Sequence, residues 1–319
     1  MAHMSLFSRR EFLISSSLVA GTTFLKPRLL FAQSPALGAG LVQKIRAAAA
    51  NATITVQKLR GDVSAMIGSG GNIAVLPGRD GKLLVDAGIP GSRPRMIEAM
   101  ARISPDPITR LINTHWHFDH TDGNEWLHSA GATILAHENT QKHMATTTRV
   151  DDWDFTFPPS PAGALPTQLI KSEKTLQVNG ATLRLRPYPP AHTDGDISVH
   201  FTDADVFHAG DTWWNGVYPF IDYSTGGSID GTIRATETNL GIATAKTVII
   251  PGHGPVGTKS QLTEFRDLLV AVRAKVAALK KQGKSLAETL AAKPTAPYDA
   301  KWGSLVPPDL FAKLVYVGV

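Results

Sequence analysis

The chain has 319 residues, with 32 Lys+Arg against 27 Asp+Glu, 11 His and no Cys. An apolar content of 43% beside 18% charged residues belongs to a globular protein with a substantial core and excludes wholesale disorder. The absence of Cys excludes disulfides, thiolate-held iron–sulfur or zinc sites and a Cys nucleophile, so chemistry must run on His, carboxylates, hydroxyls or a metal they hold. The net charge of +5 would suit a nucleic-acid partner, but part of it is local. Residues 1–33 hold Arg9, Arg10, Lys26 and Arg28 against Glu11 alone, which leaves 28 basic and 26 acidic side chains elsewhere. So nearly neutral a body argues for no nucleic acid.

In chain order, the leader comes first. Ser8-Arg9-Arg10-Glu11-Phe12-Leu13 stands before a weakly apolar run over 14–25, which reads as a twin-arginine export signal with cleavage near Ala32. The run is too short and too rich in Ser, Thr and Gly to span a bilayer, so no stable membrane insertion is expected and the mature protein is expected in the periplasm or medium. Residues 1–4 read as a cloning remnant, with Met4 the natural start. Residues 34–53 form a linker or short helix, and 54–319 one catalytic domain that includes the C-terminal helices.

Within that domain the pattern predicts strands over 54–59, 63–67, 73–76 and 83–86, spaced as hairpins. The turn Gly68-Ser69-Gly70-Gly71-Asn72 is a plain hairpin turn; no Lys or helix start follows it to make a phosphate loop. Next come a helix over 92–103, a strand over 108–113, a short helix over 123–129 and a strand over 133–136. Residues 141–168, with Trp153, Phe155, Phe157 and several prolines, read as a long irregular insertion or lid. Strands follow over 174–178, 182–187, 197–202 and 206–209, then a helix over 229–240 and a strand over 246–251. Apolar residues at 3–4 spacing from Leu262 to Leu279 mark an amphipathic helix. Hairpins followed by alternating strands and helices point to an α/β layered sandwich.

The densest signal is Asn113-Thr114-His115-Trp116-His117-Phe118-Asp119-His120. Two apart at a strand exit, His115 and His117 can aim at one cation, while Asp119 and His120 turn toward a second. His192, Asp211 and His253 each follow a predicted strand, where α/β sheets assemble sites from separate loops.

His-x-His-x-Asp-His, then a lone His, a Gly-Asp and a Gly-His resembles the metallo-β-lactamase superfamily over roughly residues 54–260. The resemblance implies an αββα four-layer sandwich with a dinuclear metal site. It implies that His115, His117 and His192 hold one metal, Asp119, His120 and His253 the other, and that Asp211 bridges them. Asp86 matches the family aspartate that orients ligand imidazoles. All-N/O ligation suits two Zn²⁺, with Fe or Mn as alternatives. Two cations ~3.5–4 Å apart can share a water and lower its pKa toward ~7. Asp119 is then the candidate to orient that nucleophile or shuttle its proton.

Departures narrow the field. The chain has no Cys for the β-lactamases that use one, and its bridging Asp is similar to that of lactonases, glyoxalase II-type thioesterases and RNA-processing nucleases. Quorum-quenching lactonases carry a Tyr three positions after the bridging Asp; here that position is Trp214, with Tyr218 or Tyr223 as substitutes. His117 stands where flavodiiron reductases carry Glu, and a single-iron persulfide dioxygenase would leave His120 and His253 unexplained. Trp214 and Tyr218 are the candidate substrate contacts; the aromatics of 153–157 and 213–220 either line an apolar cleft or pack the core. Ser228, after Gly226-Gly227, is a helix cap or part of a donor loop. His128, His137, His143, His200 and His208 lack ligand context and read as structural or surface residues.

The expected function is an exported dinuclear zinc hydrolase opening a strained or activated carbonyl in a small molecule: β-lactam-like amide, lactone, ester or thioester. The alternatives are a phosphodiesterase or sulfatase, a redox-linked relay protein of quinoprotein pathways, and a non-catalytic binding member. The oligomeric state stays open. Expressed in a host with a twin-arginine translocase, the chain should appear in the periplasm shortened by about its first 30 residues, and Arg9→Lys with Arg10→Lys should keep it full-length in the cytoplasm; fractionation with mass spectrometry reads the outcome.

Overall fold

The computed structural model describes residues 40–319. The Arg9-Arg10 pair, the cleavage position near Ala32 and the start of the expected linker lie outside the described residues. Within the rest of that linker, Leu41–Ala49 forms helix α1. A first run of strands follows: β1 (Thr55–Lys58), β2 (Ser64–Ile67), β3 (Ile73–Leu76) and β4 (Lys82–Val85). Helix α2 (Arg93–Ile103) leads to β5 (Ile108–Ile112), then to α3 (Phe118–Thr121), α4 (Asn124–Ser129), β6 (Thr133–His137) and α5 (Glu138–Ala145). A short hairpin, β7 (Thr148–Val150) and β8 (Phe155–Phe157), precedes β9 (Gln168–Ile170). The second half runs β10 (Lys174–Val178), β11 (Ala181–Pro187), β12 (Ile197–Phe201), β13 (Val206–Trp214), α6 (Ile229–Ile242), β14 (Val248–His253), α7 (Lys259–Lys281), α8 (Leu286–Ala291), α9 (Asp299–Trp302) and α10 (Pro308–Gly318).

Seven strands form one sheet in the order β1-β2-β3-β4-β5-β6-β9, antiparallel as far as β4 and parallel beyond it. Five form the other, β10-β11-β12-β13-β14, whose last pair is parallel. Period-2 side-chain direction sorts the apolar residues into layers. Ala65, Ala74, Leu76, Leu83 and Val85 meet Leu183, Leu185, Val199 and Phe201 between the sheets. Their neighbours Met66, Ile73, Val75 and Leu84 face outward onto Met96, Ala99, Met100 and Leu127 of α2 and α4. On the outer face of the second sheet, Phe207, Ala209 and Ile249 pack with Leu262, Phe265, Leu269 and Val272 of α7 and Phe311 of α10. The architecture is therefore an αββα four-layer sandwich, as expected. No helix among the described residues is long and apolar enough to cross a membrane.

Two expectations are corrected. Residues 141–168 are not irregular throughout: the end of α5 and the β7–β8 hairpin lie within the segment, and the longest stretch without strand or α-helix runs from 158 up to β9. Its aromatics explain why, since Trp153 and Phe157 are buried against Trp116 and Phe118 and organise the chain around them. Strand β13 does not stop at Ala209 but continues through Asp211 to Trp214, buried throughout. Gly-Asp-Thr looks like a loop in sequence because its polar groups belong to a site rather than to solvent. Strand β14 likewise ends on His253.

At the end of the sandwich away from the C-terminus of β4, Asn179 joins the sheets. Its Nδ2 donates to Gly81 O at 2.8 Å, its Oδ1 accepts from Asp80 N at 2.9 Å, and its own N–H reaches Asp80 Oδ2 at 2.9 Å. Asn179 sits at φ 54°, so Asn179→Gly removes the side-chain bonds without adding strain. That change should lower unfolding free energy by roughly 1–3 kcal/mol in urea titration and leave metal content unchanged.

Candidate metal centre

Strand ends deliver the candidate side chains. Asp86 directly follows β4 in the left-handed region, at φ 70°, a backbone position a non-glycine residue holds only when its surroundings demand it. After β5 the chain passes through His115 and His117 into the single turn of α3, which presents Asp119 and His120. His192 lies in the β11–β12 loop, where Asp196 accepts its backbone N–H at 2.7 Å and that of Thr193 at 3.0 Å. Asp211 follows Gly210, whose φ of 53° coincides with a break in the β13–β14 register.

All seven expected side chains converge in two groups with ligand atoms mutually within 4.8 Å: His115, His117, His192 and Asp211, and Asp119, His120 and His253. Asp211 lies between them. Its Oδ2 is 3.4 Å from His192 Nε2, 3.8 Å from His115 Nε2 and 3.3 Å from His253 Nε2, and its Oδ1 is 3.1 Å from His120 Nε2. Asp119 Oδ2 stands 3.3 Å from His253 Nε2 and 3.6 Å from His120 Nε2. The first group is wholly buried, whereas the side chains of Asp119 and His253 are 13% and 14% exposed, so the centre opens on their side.

The outer hydrogen bonds fix which imidazole nitrogens carry protons. His192 Nδ1 faces the Phe220 carbonyl at 2.8 Å, which only accepts, so its Nε2 is bare. His117 Nε2 donates to Asp222 Oδ2 at 3.0 Å, and His120 Nδ1 to Asp86 Oδ2 at 2.8 Å. Thr114 Oγ1 gives its one proton to Asp86 Oδ2 at 2.8 Å and therefore accepts from His115 Nδ1 at 3.0 Å. Four lone pairs are thereby aimed inward. His115 Nε2 is buried with no hydrogen-bond partner. His117 Nδ1 and His192 Nε2, both bare, stand 2.8 Å apart, a repulsive approach unless they share a positive charge. These residues fit a metal cation: imidazole and carboxylate donors with outer partners that orient them.

Electrostatics agree. Burial, reinforced by the His120 imidazole, holds His115 well below the usual histidine value even against Asp211. Burial likewise lowers His117, opposed by its bond to Asp222. At His120 burial is outweighed by Asp211, Asp119 and Asp86, which favour positive charge there and hold its pKa well above the ordinary value. Burial would raise Asp211, but His253, His120, His115 and His192 together hold it well below the usual carboxylate range. The cluster favours cationic charge at its inner face, as a proton or as a metal ion.

Asp86 lies where the sequence suggested, behind His115 and His120. Asp222 is the residue that sequence reasoning missed: it accepts from His117, Thr225 Oγ1 and Ser224 N. Its only signal was a carboxylate in an aromatic run eleven residues after Asp211. Trp214 packs at a tilt against His253 with ring centroids 4.1 Å apart and reaches His192 at 6.2 Å. Tyr218 is a correction. It is fully buried, its hydroxyl donates to Asp299 Oδ1 at 2.8 Å and its ring stacks on Phe311, so it packs the C-terminal helices instead of facing substrate. Aromatic side chains serve cores and clefts equally well, and position along the chain did not distinguish the two. Trp153 lies 4.7 Å from His117 and stacks on Phe220 at 4.9 Å. Ser228 caps α6 by accepting from Gly231 N at 3.2 Å. Of the other histidines, His143 pairs with Asp194, His128 faces the Ala132 carbonyl and His137 accepts from Asn139 N, while His200 Nε2 has no hydrogen-bond partner.

A sequence profile of the Metallo-beta-lactamase superfamily matches residues 66–253. The hydroxyacylglutathione hydrolase of Polaromonas sp. is 26% identical over 171 residues, 53% of this chain and 57% of that protein. The chain spans about half the length of the curated relatives it matches. Among solved structures, a sec-alkylsulfatase from Pseudomonas sp. has a TM-score of 0.61 at 15% identity over 86% of this chain and 51% of its own. A metallo-β-lactamase from Pontibacter korlensis has a TM-score of 0.54 at 17% identity over 68% of this chain and 99% of its own. With its fold, its clustered His and Asp side chains and a profile match over more than half its length, the chain belongs to the metallo-β-lactamase superfamily.

Proposed function

We propose that the chain is an exported hydrolase holding two zinc ions, His115, His117 and His192 on the first, Asp119, His120 and His253 on the second, and Asp211 on both. The observation that carries this reading is the set of inward lone pairs, with His115 Nε2 buried and unpartnered and His117 Nδ1 only 2.8 Å from His192 Nε2. Bound there, a pair of divalent cations would acidify a shared water and polarise the bond under attack. The protein's own part is positional. Asp86, Asp222 and the Phe220 carbonyl hold the imidazoles in one tautomer and orientation. Trp214 fixes the His253 ring from the side. Asp119, half of the exposed pair, places Oδ2 where it can take and hold a proton of the attacking water.

Substrate reaches the centre past Asp119 and His253. The reading favours an activated or strained carbonyl in a small molecule, a lactam-like amide, lactone, ester or thioester. The relative named for hydrolysing hydroxyacylglutathione supports an acyl bond. A sulfatase or phosphodiesterase is the second reading, favoured by the sulfatase whose fold follows 86% of this chain against 68% for the β-lactamase.

Metal analysis of the purified protein should find two zinc per chain. Acyl lactones, thioesters and nitrocefin should turn over and stop with a chelator. Chelator-sensitive cleavage of nitrophenyl sulfate or phosphate alone would overturn the carbonyl reading, and iron without hydrolysis would favour a redox relay. Asp119→Asn should lower kcat by about 10²–10⁴-fold with zinc retained; full turnover at full zinc content would remove its proton role.

A further inference from the structure

His208 lies three residues before Asp211 on β13, completely buried, and belongs to neither group of candidate ligands. Both its nitrogens are engaged with backbone. Nε2 is 3.0 Å from the Asn72 carbonyl, which can only accept, so Nε2 carries the proton. Nδ1 is then a bare acceptor, and it takes the backbone N–H of Gly210 at 3.2 Å. The imidazole thus spans two pieces of chain that both bear on the metal centre. One is the Gly210 bulge, where the register between β13 and β14 breaks and the chain turns Asp211 inward. The other is the turn between β2 and β3. There Gly71 lies so close to the His120 ring that any Cβ would collide with it, and Gly71 N donates to the Asp119 carbonyl at 3.2 Å.

Asn72 extends the link to β14. Its N–H donates to Gly252 O at 2.8 Å, and its Nδ2 to Pro251 O at 2.9 Å and Gly254 O at 2.8 Å, the residues on either side of His253. One buried imidazole therefore closes a ring of backbone through the bulge before Asp211, the turn over Asp119 and His120, and the strand end bearing His253. A histidine placed only to fill the core has no reason to bond in both directions to chain that surrounds the same carboxylate.

Resting on the two-metal reading above, we infer that His208 is a positioning residue that sets the Asp211 carboxylate and the Gly70–Gly71 turn for metal binding. Three variants separate its two bonds. His208→Asn keeps an oxygen where Nδ1 accepts from Gly210, His208→Gln keeps a nitrogen where Nε2 donates to Asn72, and His208→Phe keeps the ring and neither bond. Zinc affinity, measured by competition with a chromophoric chelator, should fall about 10- to 100-fold in His208→Phe and be partly restored in His208→Asn. His208→Gln should restore less, because the Gly210 bond is the one that aims Asp211. Circular dichroism melts of the zinc-free proteins track folding, and if His208→Phe does not fold, the Asn and Gln variants decide. Lower melting temperatures with wild-type zinc affinity in every folded variant would overturn the inference and leave His208 a packing residue. Wild-type protein that binds no zinc would remove the metal reading itself, a result distinct from variants that bind two zinc as tightly as wild type.

Discussion

Unprotonated imidazole nitrogens and a carboxylate crowded into a dry interior repel one another and forgo the solvation they would have in water. That unfavourable convergence is the constraint around which this molecule is organised. His115 Nε2 has no partner at all, and the nitrogens of His117 and His192 face each other at 2.8 Å. Such an arrangement persists only because every imidazole in the buried group is pinned from behind by an acceptor that cannot give a proton back. Thr114 does this for His115 through Asp86, the Phe220 carbonyl for His192, and Asp222 for His117. The pinning groups are as much a part of the centre as the nitrogens they orient.

The sandwich supplies these groups from stiff positions. Strands β4 and β5 run parallel and end together, which brings Asp86 against Thr114 and His120. On the opposite sheet, β13 and β14 are also parallel, so Asp211 and His253 emerge side by side. The two strand pairs meet across the apolar layer between the sheets, and the backbone bond from Ile197 N to Thr114 O at 2.8 Å ties one to the other. Asp211 can serve both groups because Gly210 accepts a left-handed φ that a side chain would resist.

Aromatic rings pack around the donors. Trp116, Trp153, Phe220 and Trp214 contact His117, His192 or His253 with their rings. Arg46 of α1 strengthens this wall from outside, paired with Asp122 at 2.6 Å and lying over the rings of Phe118, Phe155 and Phe157. A low-dielectric surround strengthens every charge interaction inside it, which accounts for the opposite displacements of His115 and His120 within one cluster. The cluster is least covered at Asp119 and His253.

Much of this was legible in the amino-acid order. Hairpin spacing before residue 86, strand–helix alternation after it and the 3–4 period of α7 gave the layers, because binary pattern follows element geometry directly. The seven donors were readable too, since His-x-His-x-Asp-His has no use in an apolar core. Asp86 was suggested only by the resemblance to the superfamily, and the structure places it against His120 and Thr114. What only the tertiary structure decided were relations between residues far apart in the chain. Asp222 is 105 positions from the His117 it orients, and His208 is 136 from the Asn72 carbonyl it binds. Tyr218 and Trp214, four residues apart with the same aromatic character, take opposite fates, one packed under the C-terminal helices and the other against the His253 ring. Local pattern sets which face of an element is apolar, but the partner of a buried polar atom is whatever the folded chain brings within three ångströms, and that is set by packing alone.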